Sequence, residues 1–156
     1  ISLLLFPEIL YGMPRNVAQP STKKKKTKSK KVVNEDPFWE LNQTIIDYLN
    51  TNKPYLNPDF DISDIAFDLK IPQNHVSYCI SNIMNTRFSK LKAELRIQHA
   101  IELLKKGQNS SITIDGIGTQ SGFKTRSYYY EVFKKETGYT PSEYIDNLIL
   151  KESNTN

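Results

Sequence analysis

From residue 37 onward the apolar side chains recur at helical rather than strand spacing. Phe38, Leu41, Ile45, Tyr48 and Leu49 fall on one face, as an amphipathic helix requires. Asp36-Pro37 supplies a cap and a first-turn proline, and Pro54 sets the end near Asn52. A second, short helix starts at Asp61 with Ile62, Ile65, Ala66 and Leu69 apolar, and Lys70-Ile71-Pro72 turns the chain. A third is predicted from Gln73 to Asn85. Val76, Cys79, Ile80, Ile83 and Met84 project to one side of it, and Asn74, Ser77, Tyr78, Ser81 and Asn85 to the other. Cys79 on the apolar side reads as a small buried hydrophobe.

The next helix, Ser89 to Lys106, changes its apolar face halfway along. Phe88, Leu91 and Leu95 cluster on one side, whereas Ala93, Ile97, Ala100, Ile101 and Leu104 lie mostly opposite. Such a helix suits packing against two bodies in succession. Gly107-Gln108-Asn109 stops it. Ile112, Ile114 and Ile117 then announce another short helix, followed by Gly122-Phe123 and a longer one from Thr125 to Thr137. There Tyr129, Val132 and Phe133 face inward, and Ser127, Tyr130, Glu131 and Lys134 outward. Gly138 ends it, and Pro141-Ser142-Glu143 opens a last helix through Leu150.

Two units of short helix, tight turn and longer helix, with second helices about 52 residues apart, make an internal duplication. A short helix crossing a longer one through a tight turn is the helix-turn-helix, whose second helix enters the major groove of DNA. The predicted class is therefore all-α, with two helix-turn-helix subdomains joined by a long linker helix. An 18-residue linker spans ~27 Å. With helix widths added, the two second helices come near the ~34 Å repeat of B-DNA, one monomer reaching two successive grooves.

Charge sharpens this picture. The 156 residues carry a formal +4, unevenly spread. Residues 1–31 balance at +7, 32–72 at −6, 73–138 at +5 and 139–156 at −2. The predicted reading module is thus basic in its own right. Hydrophobic residues are 38%, below the usual ~45–50%, so part of the chain is expected outside any core. One cysteine excludes a disulfide framework and a Cys-rich zinc site. His75 and His99 lack metal-ligand spacing, and the six glycines form no phosphate-binding loop. No set of nucleophile, base and orienting residue stands out, so no enzyme and no cofactor are expected.

Residues 1–34 read as an apolar stub and a lysine-rich linker, largely disordered, ahead of a DNA-binding domain over 35–152. Within that domain the first unit covers 37–87, the linker helix 88–106 and the second unit 110–150. Residues 1–13 are interrupted by Pro7 and Glu8 and are too short for a ~20-residue membrane span. Seven lysines follow within Lys23 to Lys31. Three readings of that tract stand open: a solvated charge run, a basic arm on phosphates, or a cytoplasmic flank binding an anionic membrane surface. The chain opens on Ile1 rather than Met, so a fragment or a processed chain is expected, its sensory portion absent or upstream. Residues 1–13 followed by the lysine tract read as the tail of a span entering the cytoplasm.

Residues 38–148 resemble the C-terminal DNA-binding domain of the AraC/XylS family of bacterial transcription regulators. Ile62-Ser63-Asp64-Ile65-Ala66, Arg96-Ile97 with Ala100 and Leu103-Leu104, and Gly122-Phe123 carry the likeness. The strongest stretch runs Phe133-Lys134-Lys135-Glu136-Thr137-Gly138-Tyr139-Thr140-Pro141-Ser142-Glu143-Tyr144. The resemblance implies double-stranded DNA as partner, RNA polymerase as a second partner, and a cytoplasmic location. It places base reading on Gln73, Asn74, Ser77 and Tyr78, and on Arg126, Ser127, Tyr130 and Glu131. Asn and Gln suit adenine edges, Arg suits guanine, and Glu can accept from cytosine. Phosphate contacts are expected from Arg87, Lys90, Lys124 and Lys134, which position without specifying.

The departures predict a different bound sequence, since Arg is common in the family where Tyr78 and Glu131 stand. Gly116 and Gly118 sit where helix formers are expected, each costing up to ~1 kcal/mol relative to Ala, which predicts a loose first helix in the second unit. The competing reading is a helical protein-interaction or signalling module of a membrane-tethered receptor, without direct DNA readout. It predicts weak, salt-insensitive DNA association.

Overall fold

The structure, a computed structural model, describes residues 36–106 and 112–153, the last three by backbone alone. The expected stub and lysine tract, and the loop Gly107-Gln108-Asn109, lie outside the described residues. Among the described residues all regular structure is helical. In order come α1 (Trp39–Asn52), a 3-10 turn (Pro54–Leu56), α2 (Ile62–Leu69) and α3 (Gln73–Tyr78), which a π-helical turn (Cys79–Ile83) continues. Then follow α4 (Phe88–Lys106), α5 (Ile114–Gln120), α6 (Arg126–Thr137) and α7 (Pro141–Ser153).

Local chemistry explains most boundaries. Asp36 caps a turn rather than the helix itself: its Oδ1 accepts from Phe38 N at 2.8 Å and its carbonyl from Trp39 N at 3.0 Å. Helix α1 therefore begins at Trp39, two residues after the expected proline. It ends at Lys53, whose φ of 48° is left-handed. At the head of α2, Asp61 N donates to Asp64 Oδ2 at 2.8 Å. Thr113 caps α5, its Oγ1 accepting from Gly116 N at 3.0 Å, and Thr125 caps α6 by accepting from Tyr128 N at 3.3 Å. Gly138, at φ 83°, takes the left-handed position that closes α6. A reciprocal box opens α7. Thr140 N donates to Glu143 Oε2 at 2.7 Å, and Glu143 N donates to Thr140 Oγ1 at 3.3 Å.

The continuous α-helix expected from Gln73 to Asn85 is instead a short α-helix that widens. Met84 N reaches Cys79 O at 2.9 Å, an i to i+5 bond, and Asn85 follows at φ 51°. The wider turn carries Cys79, Ile80 and Met84 together into the core, at 0%, 2% and 4% exposure.

Two apolar clusters form. The first gathers Ile45, Leu49, Ile65, Val76 and Ile80, and takes Leu91 and Leu95 from α4. The second gathers Ile117, Phe123, Tyr129, Val132 and Phe133, and takes Ile97, Ala100 and Leu104 from the same helix. The change of apolar face read in the sequence is the point where α4 leaves one core and enters the other. Each fully buried aliphatic or aromatic side chain contributes ~1.5–3 kcal/mol, so α4 is held firmly at both ends. Helix α5 is formed despite its glycines. Gly118 stands under the ring of Tyr129, where a Cβ would lie 2.5 Å from Cδ1. The residue that lowers helix propensity is the one that admits the second core's central aromatic.

Candidate nucleic-acid interface

On α3 the buried Val76 pins the helix, and this turns Gln73, Asn74 and Ser77 outward, all exposed. Tyr78 is only half-buried and is engaged: its hydroxyl donates to Asp36 Oδ2 at 3.1 Å and its ring lies 5.0 Å from that of Phe38. The nearby carboxylate raises the Tyr78 hydroxyl above the usual tyrosine range. His75 sits 4.8 Å from the same phenylalanine ring. Of the four α3 residues expected to read bases, three stand free on the surface and the fourth braces α3 against the start of α1.

On α6 the buried Tyr129, Val132 and Phe133 fix the opposite face, and Arg126, Ser127 and Glu131 are exposed. Tyr130 is half-buried. Arg126 is oriented from two sides: its Nε lies 3.2 Å from Asp115 Oδ1 on α5, and its guanidinium carbon lies 5.0 Å from the Tyr130 ring centre. Among the expected phosphate contacts, Arg87 and Lys134 are exposed. Lys90 lies 3.6 Å from Glu94. Lys124 reaches Asp59 Oδ1 at 2.6 Å, and this holds the Asp59 carboxyl below its ordinary range. Both members of that pair are largely exposed, so a phosphate can compete for the lysine at little cost.

The two units meet in a cleft of about 510 Å³. Arg87 and Lys90 line it from the first unit's side, and Tyr128, Glu131 and Lys135 from α6. It thus brings together three of the expected contact residues. Tyr128, 46% exposed, and Lys135 were not among those expected. Lys135 stands four residues after Glu131 on the same helix face, a spacing legible in the sequence. The left-handed Asn85 on the cleft wall has no comparable signal. Among the described residues no group of three or more His, Cys, Asp or Glu side chains is placed to hold a metal ion. Among them also, no helix is long and apolar enough to cross a membrane.

Known proteins share parts of this sequence and its fold. A family model of the helix-turn-helix domain matches residues 65–147. The TCP pilus virulence regulatory protein of Vibrio cholerae serotype O1 is 39% identical over 59 residues, 38% of this chain and 20% of that protein's length. An uncharacterized HTH-type transcriptional regulator in the cgkA 5′ region of Pseudoalteromonas carrageenovora is 26% identical over 130 residues, 81% of this chain and 69% of that one. In fold, the chain is similar to the C-terminal domain of AraT, a response regulator from Geobacillus stearothermophilus. The TM-score there is 0.60 at 22% identity, over 72% of this chain and 88% of that domain. The duplicated helices, the matched model and the regulator relatives agree: the chain belongs to the AraC-type helix-turn-helix family of DNA-binding transcription-regulator domains.

Proposed function

We propose that this chain binds double-stranded DNA sequence-specifically as the output domain of a longer regulator, with α3 and α6 each entering one of two successive major grooves. One observation carries the reading. Two helices with exposed polar faces, Gln73-Asn74-Ser77 and Arg126-Ser127-Glu131, are held by one 19-residue helix that belongs to both cores. That helix spans ~28 Å, and with helix widths added the two reading helices come near the ~34 Å separation of successive grooves on one side of B-DNA. Asn74 and Gln73 have the donors and acceptors for adenine, Arg126 for guanine and Glu131 for cytosine N4. Arg87, Lys90, Lys124 and Lys134 take phosphates on either side, joined by Lys135 in the cleft. Tyr78 contributes by holding α3 in place as much as by touching a base. Upstream sensing and contact with RNA polymerase enter through the family resemblance.

Selection from random duplex DNA tests the proposal. The expected product is a site of ~20 bp with two distinct half-sites. If these five cations each neutralise one phosphate, the log–log salt slope is about −4.5. Arg126→Ala should relax base preference within one half-site, whereas Lys134→Ala should weaken binding to all sequences about equally. Enrichment of no sequence, or binding that ignores salt, would instead favour the protein-interaction reading.

A further inference from the structure

Each unit has its own core, so the angle between α3 and α6 depends on what joins the units. Arg96 stands at that junction. It follows Leu95, the last buried α4 residue of the first core, and precedes Ile97, the first fully buried one of the second, which Ala93 also flanks. The side chain is 5% exposed. Its Nε donates to Tyr55 O at 2.7 Å, and Nη2 donates to Asn57 O at 2.9 Å with Pro58 O at 3.5 Å. All three carbonyls belong to the first unit, in and just after its 3-10 turn. The same guanidinium lies 5.9 Å from the ring centre of Phe123, in the second unit.

The second unit presses onto one of these carbonyls and its neighbour. Gly122 has φ +87°, and a Cβ there would lie 2.6 Å from Tyr55 O and 2.9 Å from both Leu56 O and Arg96 Nε. One turn earlier on α4, Lys92 Nζ donates to Phe60 O at 2.9 Å. At the outer edge Lys124 closes on Asp59 at 2.6 Å. Segment 55–60 is therefore a wedge of carbonyls, gripped by α4 cations from one side and covered by the second unit's turn from the other.

We propose that Arg96 is the positioning residue that fixes the second reading helix relative to the first, and thereby selects which separation of DNA half-sites the protein accepts. The two cores hold α4 within each unit, and a planar fork on two carbonyl acceptors adds a directional lock that apolar contacts lack. One extra base pair moves a half-site by ~3.4 Å and turns it by about a tenth of a helical turn. Only a stiff joint discriminates a change that small. The inference rests on the DNA-reading proposal above.

The test is selection from a random-sequence duplex library with the full 156-residue chain, comparing wild type with Arg96→Met and Arg96→Lys. Wild type should enrich two half-site motifs at one separation, and lose about tenfold in affinity when one base pair is added between them. Arg96→Met should enrich the same two motifs at several separations and lose less than about threefold on the same insertion. Arg96→Lys keeps the charge but not the fork, and should fall between. If Arg96→Met does not fold, Arg96→Lys carries the test alone, by a loss on the one-base-pair insertion smaller than that of wild type. Folded variants that keep the single wild-type separation overturn the proposal and leave the DNA reading intact; a wild type that enriches one half-site alone overturns the proposal together with the two-groove part of that reading. A wild type that enriches nothing overturns both.

Discussion

Gly118 and Tyr129 occupy one another's space: a Cβ on Gly118 would lie 2.5 Å from Tyr129 Cδ1 and 2.8 Å from Cγ. Tyr129 is 1% exposed and packs against Phe123 and Phe133 at ring-centre distances of 5.1 and 5.7 Å. It cannot retreat without opening the second core. Propensity alone makes Gly118→Ala stabilising by up to ~1 kcal/mol, while overpacking a tight core costs ~1–3 kcal/mol. The second effect wins here because the obstructing atoms are a ring held on both sides. Gly118→Ala should lower the urea midpoint, whereas Gly116→Ala, which meets only the end of the Thr113 side chain and Ile112 Cγ2 at 3.1 and 3.4 Å, should change it far less. An unchanged midpoint for Gly118→Ala would show that Tyr129 moves freely.

Thr125 fixes where α6 begins and therefore how Arg126 and Ser127 are presented. Its Oγ1 accepts from Tyr128 N at 3.3 Å, and its backbone is extended at φ −134°. Thr125→Ala removes the acceptor and should cost ~1 kcal/mol. Thr125→Ser keeps the hydroxyl and should restore most of it. Thermal melts of the two variants separate capping from simple loss of bulk, and equal losses in both would rule out the cap.

How much of the fold is legible in the sequence depends on which contacts repeat. Leu91 and Leu95, set against Ile97, Ala100 and Leu104, announce two cores in the bare sequence, because a helix writes its buried face as a period. Thr125, Gly138 and Pro141 mark ends for the same local reason. The π turn at Cys79–Ile83 leaves no such trace: its residues fit an ordinary helix equally well, and only the demand of the core widens it. Nor can the sequence pair Arg96 with Tyr55. The acceptors there are main-chain carbonyls, which every residue has, so the partner's side chain carries no information. The same holds for Gly118, whose propensity cost is visible but whose neighbour eleven residues later is not. For the interface, the exposed sides of α3 and α6 are readable from their wheels, but the bond from Tyr78 to Asp36 is not, since it spans 42 residues.

His99 gives the fold a pH dependence of known sign. Burial, then the cation of Lys53, lowers its pKa from 6.5, and its Nδ1 is buried without a hydrogen-bond partner. The native state therefore refuses a proton that the unfolded chain accepts. Stability is full above 6.5, falls as pH drops below it, and levels off at the depressed native value. Glu94 acts oppositely, because burial raises its carboxyl above 4.5 and stability is lost as pH rises through that window. His99→Gln isolates the histidine. Its urea midpoint should lose the wild-type decline between about pH 7 and pH 5.5. A variant with the same decline as wild type would assign that slope to other groups.

Asp115 offers the sharpest separation of affinity from specificity. Its carboxylate holds Arg126 at 3.2 Å, and both side chains are at least half exposed or nearly so, at 49% and 68%. The pair is worth little to stability, ~0–1 kcal/mol. Its effect lies in aiming the guanidinium, together with the Tyr130 ring beside it. Asp115→Ala removes a negative charge facing a polyanion, so binding to random duplex DNA should tighten. It also frees Arg126 to swing, so the part of its ~1–3 kcal/mol base discrimination that depends on a fixed fork is lost. The charge effect strengthens selected and random duplexes alike, whereas the lost aim weakens only the selected one. The ratio of selected to random affinity should therefore fall about three- to tenfold. Titrations of both duplexes at one salt concentration measure that ratio directly. A rise in both affinities with the ratio unchanged would mean that Arg126 contacts phosphate rather than a base edge.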